Sequence, residues 1–179
     1  YPINKAQAND IVEVYPGTYP EQLTISKNLH LKGKAGAMSS IFVQAPSTIP
    51  AASDPLSTII LVTGSSTNAE ITGLTIEGPG PSGCGSISNG IFVRDGSTAD
   101  IHHNHLLNIR DLTFSGCQNG VAIQVGRTAY STTGHATITE NVIEGYQKNG
   151  ITVDNTGSTA TISGNTVTGV GTTTVIAQN

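Results

Sequence analysis

The chain has 179 residues and a formal net charge of −4, and only 11% of its residues are charged. That length fits a single domain with a sizeable core. Few charged residues and no tryptophan disfavour a helical bundle and are typical of short strands joined by many turns. Phosphate binding needs clustered lysine and arginine, so no nucleic-acid partner is expected. No apolar run is long enough to span a bilayer, so no membrane partner is expected either.

The first part of the chain predicts a cap, a set of strands and an insertion, in that order. Residues 1–9 are predicted to form a short N-terminal cap, with Ile3 and Ala6 facing inward. Apolar-rich stretches follow at residues 10–19, 21–25 and 29–33. Residues 34–57 carry three prolines and are predicted to form a loop insert.

The tripeptide Ala-x-Ile recurs four times and predicts a repeat. Its copies begin at Ala69, Ala99, Ala136 and Ala160, at spacings of 30, 37 and 24 residues. The third residue after each isoleucine is Leu74, Asn104, Asn141 or Asn165. The spacing varies only in Gly/Ser/Thr-rich inserts, so each copy predicts two short strands separated by a turn.

The dipeptide Asn-Gly also recurs, and each copy opens an alternating apolar run. The copies begin at Asn89, Asn119 and Asn149. When the runs are aligned on this dipeptide, the inward-facing residues are predicted to be Ile91, Val93, Val121, Ile123, Ile151 and Val153. The outward-facing rows are then Phe92, Ala122 and Thr152, followed by Arg94, Gln124 and Asp154. The second row would expose a cation, an amide and a carboxylate.

Stacked coils would bury the inner faces of these strands. Three short strands cannot bury an apolar face alone, but units stacked about 4.8 Å apart bury a continuous column of Ala, Ile and Val. At the turn after the Ala-x-Ile strand, an inward amide can bond the amide of the next coil, which predicts an Asn ladder of Asn104, Asn141 and Asn165. The predicted fold is all-β, a parallel solenoid of about five coils forming a single domain over residues 1–179.

The pattern Ile-x-x-Asn-x-Ile-x-Gly, as at residues 138–145, resembles the right-handed parallel β-helix of the pectate-lyase-like superfamily. The stretches within residues 10–33 resemble its first coil, and the similarity covers residues 10–179. The resemblance implies that a polysaccharide lies along the outer face of the Asn-Gly strands.

Candidate binding residues follow from that implied placement. Arg94 suits the carboxylate of a uronate, and Gln124 and Asp154 would hydrogen-bond sugar hydroxyls. Asp95 and Arg127, in the loops after these strands, would contribute, and Tyr130 would offer a ring for sugar stacking. The alternative is that this row is an ordinary solvated sheet face.

The catalytic patterns of the superfamily are missing from the sequence. There is no Asp-Asp dipeptide for acid–base hydrolysis, and one aspartate in the row cannot supply the oxygens that calcium requires. No catalytic residue is assigned and no cofactor is expected. The sequence predicts an extracellular β-helix that binds or processes an acidic polysaccharide, and it favours a binding or degenerate form over a competent enzyme. The alternative is a structural, adhesin-like surface stalk.

Three histidines, His102, His103 and His105, fall at one predicted turn. They are interpreted as solvated corner residues, because Glu140 is the only acidic residue predicted at a matching position on an adjacent coil. No metal site is predicted, and a metal-dependent function through these histidines is the alternative.

The only cysteines, Cys84 and Cys117, lie in Gly/Ser-rich segments. They could be buried thiols, but loop cysteines in a lysine-poor chain favour an extracellular disulfide. In a β-helix both would lie in turns one coil apart, within reach of each other. A secreted or cell-surface location is therefore predicted.

Residues 172–179 are predicted to begin another strand of the Asn-Gly type and to stop without a polar cap. Solenoids need capped ends to cover core and strand edges. The expectation is therefore a C-terminal end that is truncated, or one that associates end to end with a second copy.

Overall fold

The computed structural model describes residues 2–47, 57–176 and 178, and in it the chain winds as a solenoid of parallel strands. The described residues contain seventeen strands in three sheets of six, six and five strands, which amounts to five complete coils and two strands of a sixth. The predicted class, an all-β right-handed parallel β-helix of about five coils, is confirmed.

Each coil contributes one strand to each sheet, in the same order. Sheet 1 contains β1 (Asp10–Val14), β4 (Leu29–Gly33), β7 (Asn68–Thr72), β10 (Thr98–His102), β13 (His135–Thr139) and β16 (Thr159–Ser163). Sheet 2 contains β2 (Gly17–Pro20), β5 (Ile41–Gln44), β8 (Thr75–Glu77), β11 (His105–Leu107), β14 (Val142–Glu144) and β17 (Thr166–Thr168). Sheet 3 contains β3 (Leu23–Ile25), β6 (Thr58–Val62), β9 (Asn89–Val93), β12 (Val121–Val125) and β15 (Asn149–Val153).

The four Ala-x-Ile copies lie in sheet 1 in the register that the repeat predicts. Their alanines align as one column, Ala69, Ala99, Ala136 and Ala160, and their isoleucines as a second. The first three alanines are buried, and the residue between each alanine and isoleucine faces outward. Alternation along these strands therefore separates core from surface.

An asparagine ladder runs up the turn between sheets 1 and 2. The Asn104 amide donates to Asn141 Oδ1 at 3.1 Å and to Ile71 O at 2.8 Å. The Asn141 amide likewise donates to Asn165 Oδ1 at 2.9 Å. The Asn141 amide also donates to Ile101 O at 2.9 Å, so each amide bonds both the next asparagine and a backbone carbonyl of the preceding coil, which stabilises the turn.

The predicted register of the Asn-Gly strands is wrong at β12. Val121, not Asn119, aligns with Asn89, and Ile123 aligns with Ile91. The two preceding residues belong to the turn, because the buried Asn119 amide donates to Ile87 O at 2.6 Å and Gly120 adopts φ 79°. Because side chains alternate between the two faces of a strand, a shift by two residues keeps every side chain on its predicted face. The inward positions are therefore as predicted, but the outward residues align with different residues of the neighbouring strands.

The outward rows are rearranged by the same shift. Gln124 aligns with Phe92 and Thr152, whereas Arg94 and Asp154 follow the ends of their strands. The predicted row of Arg94, Gln124 and Asp154 therefore does not exist.

Left-handed backbone occurs at one position of the turn after the sheet 1 strands. Gly73, His103, Glu140 and Gly164 all have φ between 53° and 72°. Glycine adopts this conformation freely, but a histidine or glutamate is strained there.

The N-terminal end is covered by one helical turn, α1 (Pro2–Lys5), and Ile3 packs into the core. Ala6 is half-buried against the same core. Lys27 Nζ donates to Ala6 O at 2.8 Å, which ties this segment to the first coil.

Two predictions need correction outside the repeats. Residues 34–57 are not a continuous loop insert, because Met38–Ser40 form a 3₁₀ turn and Ile41–Gln44 form β5. Ile41 and Val43 lie two residues apart on one face of β5, and both are buried. This strand pattern was overlooked in the sequence because prolines follow it closely. Residues 48–56 lie outside the described part of the chain. The strand predicted over residues 172–179 is also absent from its described residues, 172–176 and 178.

Candidate functional site

The outer face of sheet 3, where the sequence predicts a polysaccharide to lie, is buried over three coils. The outward residues Leu61, Phe92 and Gln124 align with one another and have exposed fractions of 8%, 0% and 3%. The Gln124 amide is used internally, donating to Gly126 O at 2.6 Å. Gln124 therefore faces outward as predicted, but it is covered and bonded within the protein, so it is not available to a ligand.

Arg94 and Asp95 follow β9 and pair with each other. Arg94 Nε lies 3.0 Å from Asp95 Oδ2, and the guanidinium lies over the Phe92 ring, 5.6 Å from its centroid. The Asp95 carboxylate accepts bonds from Thr63 Oγ1 at 2.6 Å and Thr132 Oγ1 at 2.9 Å. Burial raises the pKa of Asp95, but these hydroxyls and the Arg94 charge outweigh it and lower the pKa below its ordinary value.

A short hairpin after β12 lies beside this pair. We call residues 127–132 the rim hairpin, because Arg127 and Thr132 form an antiparallel bridge and Thr128–Tyr130 form a 3₁₀ turn between them. Asp154 of the next coil anchors it, accepting from the Thr128 backbone N–H at 2.9 Å and the Thr128 hydroxyl at 2.6 Å. The Thr128 hydroxyl is the largest cause of the lowered pKa of Asp154.

The rim hairpin presents a cation beside an aromatic ring. The Arg127 guanidinium lies 5.6 Å from the centroid of the Tyr130 ring, and Tyr130 is 42% exposed. Thr132, which closes the hairpin, also bonds Asp95, so hydrogen bonds join the Arg94–Asp95 pair to the hairpin.

Five of the six predicted binding residues therefore meet around the rim hairpin, and Gln124 does not. The connecting threonines were missed by sequence reasoning; they are Thr63, Thr128 and Thr132. Each bonds an aspartate from another coil, and no local spacing in this Thr-rich sequence distinguishes them.

A second polar region covers the outer face of sheet 1. Glu70 contacts His30 Nδ1 at 2.5 Å, Lys32 Nζ at 2.9 Å and His102 Nε2 at 3.1 Å. Burial raises the pKa of Glu70, but the hydrogen bonds from His30, Lys32 and His102 outweigh it and lower the pKa to about 2. Glu70 is therefore ionised at neutral pH. A shallow polar depression of about 290 Å³ adjoins it, lined by Asn9, Asn28, His30, Asn68, Ala69, Glu70 and Asp100.

Glu140 is the only acidic residue at a position matching a corner histidine on an adjacent coil, as expected, but two further carboxylates reach these histidines from other positions. Glu140 does contact His103 Nε2 at 2.5 Å, but Glu70 contacts His102 and Glu144 contacts His105 Nε2 at 2.9 Å. His102 aligns with Thr72 and His105 aligns with Val142, so Glu70 and Glu144 each lie two residues along the strand from the aligned position. Inspection of matching positions alone misses them, because these contacts run diagonally between coils.

The disulfide between Cys84 and Cys117 is confirmed, with a Cα–Cα distance of 5.8 Å. Asp111 lies beside it and accepts from Ser115, Asn119 and Gln147 side chains. This group does not fit a metal ion, since both sulfurs are bonded to each other and the carboxylate is occupied by donors.

Among the described residues, no helix is long and apolar enough to cross a membrane. Searches of curated proteins and of solved structures gave no match. A family model described as "Right handed beta helix region" matches residues 53–179. With its three parallel sheets and Asn ladder, the chain belongs to the family of right-handed β-helix proteins.

Proposed function

We propose that this β-helix acts outside the cell and binds an acidic polysaccharide through the rim hairpin. The observation that carries the proposal is the exposed Tyr130 ring beside the Arg127 guanidinium. A planar guanidinium pairs with a carboxylate through two parallel hydrogen bonds, and an aromatic ring packs against the apolar face of a sugar. Together these groups match a uronate residue.

The hydrogen bonds that anchor the hairpin at both ends support this proposal. Asp154 holds the Thr128 end by two hydrogen bonds, and Thr132 holds the other end against Asp95. A ligand site that is ordered before binding loses less conformational entropy when the ligand arrives.

The carboxylates beside the hairpin support binding rather than catalysis. Hydrolysis of a glycoside needs a carboxyl group that remains protonated to act as acid. Hydrogen bonds lower the pKa of both Asp95 and Asp154, so each is suited to hold the loop as an acceptor and not to donate a proton.

An extracellular location is part of the proposal. The Cys84–Cys117 disulfide supports it, because disulfides persist in oxidising compartments.

The test is retention of the purified chain on polygalacturonate, alginate and a neutral glucan. We expect Arg127→Gln to weaken binding to the acidic polymers by about 10- to 100-fold, as for loss of a charge-assisted bond. Tyr130→Ala should weaken binding to them as well. The matched control is Lys5→Gln, which removes one exposed positive charge from α1.

Equal retention of Arg127→Gln and Lys5→Gln would contradict the assignment of the site. No retention of the parent chain on any polymer would contradict the binding function itself. Ultraviolet absorbance of the same mixtures should stay flat, since release of unsaturated uronides would indicate a lyase.

A structural stalk is the second candidate, supported by the exposed inner faces of β16 and β17. Ile162 and Val167 are 48% and 44% exposed, whereas Ile138 and Ile143, their partners one coil earlier, are buried. In the described residues no strand pairs with the free edges of β15, β16 and β17. Stacking of a second copy there would cover both the apolar face and the edges.

Sedimentation velocity over a range of concentrations tests this candidate. Self-association should rise with concentration and fall in Ile162→Glu, while Thr161→Glu, which places the charge on the outward face, should leave it unchanged. A monomer at every concentration would contradict the stalk.

A further inference from the structure

Two histidine nitrogens face each other at the corner between sheets 1 and 2. His102 Nδ1 lies 2.9 Å from His103 Nδ1, with the two rings nearly perpendicular at 85°. The Thr72 hydroxyl lies 3.2 Å from His102 Nδ1. Two ring nitrogens and a hydroxyl therefore meet on a partly exposed surface that an ion can reach from solvent.

The far nitrogen of each ring is held by a carboxylate. His102 Nε2 contacts Glu70 at 3.1 Å, and His103 Nε2 contacts Glu140 at 2.5 Å. An ionised carboxylate only accepts, so each Nε2 donates to its carboxylate and Nδ1 is the nitrogen that each ring presents to the other. The two Nδ1 atoms share a hydrogen bond at 2.9 Å, and a cation bound between them would take the place of its hydrogen.

This arrangement is the one by which proteins prepare histidine for a metal. A metal-binding histidine commonly donates its other ring N–H to a carboxylate, which fixes the tautomer and raises the basicity of the ligating nitrogen. Here both rings have such a carboxylate, and Glu70 is itself held by His30 and Lys32.

The backbone at the corner carries strain at two of these residues. His103 and Glu140 adopt φ 53° and 56° at the turn position that is Gly73 and Gly164 in other coils. Left-handed backbone costs a non-glycine residue about 1 kcal/mol or more, and such strain often accompanies function. The strain therefore falls on His103 and on Glu140, the carboxylate that orients the His103 ring.

We propose that His102 and His103 bind a divalent transition-metal ion through their Nδ1 atoms, with Thr72 and water completing the coordination. Nitrogens 2.9 Å apart, each about 2.0–2.1 Å from the ion, subtend an angle of about 90° at it. That angle suits the tetragonal geometry of Cu²⁺ or Ni²⁺ better than the tetrahedral geometry of Zn²⁺. Cu²⁺ also binds nitrogen ligands most tightly of the divalent series, so the site selects Cu²⁺ over Zn²⁺.

The site is independent of the rim hairpin, so either proposal stands without the other. His105 is left out of the site, because among the described residues no contact joins its ring to the His102–His103 pair, and its Nε2 contacts Glu144 instead.

Calorimetric titration of the full chain with Cu²⁺ and with Zn²⁺ tests the proposal. We expect one Cu²⁺ to bind, more tightly than Zn²⁺, with nitrogen coupling from two imidazoles in the electron paramagnetic resonance spectrum. His103→Gly should weaken Cu²⁺ binding by at least tenfold while preserving the fold, because glycine suits the left-handed backbone there. Glu140→Gln should weaken it by about tenfold, since the orienting charge is lost.

The matched control is His135→Gln, which removes a sheet 1 histidine whose ring is hydrogen-bonded to the Thr159 hydroxyl, away from the His102–His103 pair. It should bind Cu²⁺ as the parent chain does, and its melting temperature should rise with Cu²⁺ by the same amount. Equal affinity in His103→Gly and His135→Gln, a spectrum without two coupled nitrogens, or tighter binding of Zn²⁺ than of Cu²⁺ would each overturn the proposal.

Discussion

Sheets 1 and 3 are built from similar repeats, yet they use their outer faces differently. In β10 and β13 burial alternates, and the outward residues Asp100 and Thr137 are exposed. In β6, β9 and β12 all five residues of each strand are buried. Sheet 1 has one buried face and one exposed face, whereas these strands of sheet 3 are buried on both faces.

The difference shows that an outward position in a repeat does not determine exposure. Outward residues of sheet 1 pair across coils through charges, as Glu70 does with His30. Outward residues of sheet 3 form an apolar pair, Leu61 and Phe92, with the Arg94 guanidinium over the ring. The groups that we propose to bind a ligand on the sheet 3 side therefore lie at the strand ends, around the rim hairpin, and not on the strands.

The largest effect should come from truncating an outward residue of sheet 3. Phe92→Ala should lower the free energy of unfolding by about 3–5 kcal/mol, since the ring is fully buried and its loss leaves a cavity. Thr137→Ala, at an exposed outward position of sheet 1, should change it by no more than about 0.5 kcal/mol. Urea unfolding measures both, and equal effects would remove the distinction between the two faces.

The disulfide should contribute the next largest effect, because it crosslinks the turns that lead into sheet 3. Replacing Cys84 and Cys117 together by serine should lower the free energy of unfolding by about 2–4 kcal/mol, as expected for residues 33 positions apart. Chemical denaturation of this variant and of the reduced parent chain should agree. If reduction left the free energy of unfolding of the parent chain unchanged, the buried hydrogen bonds around Asp111 would be sufficient to hold these turns without the disulfide.

The charged face of sheet 1 should show a smaller and pH-dependent effect. Glu70→Gln should cost about 1 kcal/mol at neutral pH, since the group is partly exposed. The folded pKa of about 2 lies below the ordinary 4.5, so the stabilisation is present above about pH 4.5 and is lost as the pH falls toward 2. Thermal unfolding of both chains between pH 7 and pH 2 should converge, and a constant difference would contradict the assigned ion pairs.

The smallest effect should be stabilising. In the absence of metal, His103→Gly should raise the free energy of unfolding by about 0.5 kcal/mol, because relief of the left-handed strain exceeds the loss of an exposed contact with Glu140. Gly164→Ala, the reverse change at the same turn position, should destabilise the chain. Urea unfolding in the presence of a chelator measures both changes, and a destabilised His103→Gly would mean that the Glu140 contact outweighs the strain.

Much of the fold could be predicted because it is encoded locally. Ala99 and Ile101 sit two residues apart and must share a face, and an asparagine three residues later must fall at the turn. Copies of this pattern at Ala136 and Ala160 stack in register whatever the length of the inserts between them. The same reasoning placed Cys84 and Cys117 in neighbouring turns.

The site was less predictable because its residues meet across coils. Asp154 and Thr128 are 26 residues apart, and Asp95 and Thr132 are 37 apart, so no single period aligns both pairs. Gln124 was misplaced because alignment on Asn-Gly ignores the turn that absorbs Asn119 and Gly120.

The sequence by itself determined the parallel solenoid, the inward columns and the Asn ladder, since these depend on a strand period of two and on short-range spacing. Only the tertiary structure decided which charges pair, which outward residues are buried and where the β12 strand begins. Those features depend on the lengths and paths of the inserts, and the turn chemistry of Asn119 and Gly120 acts only once the coils have stacked.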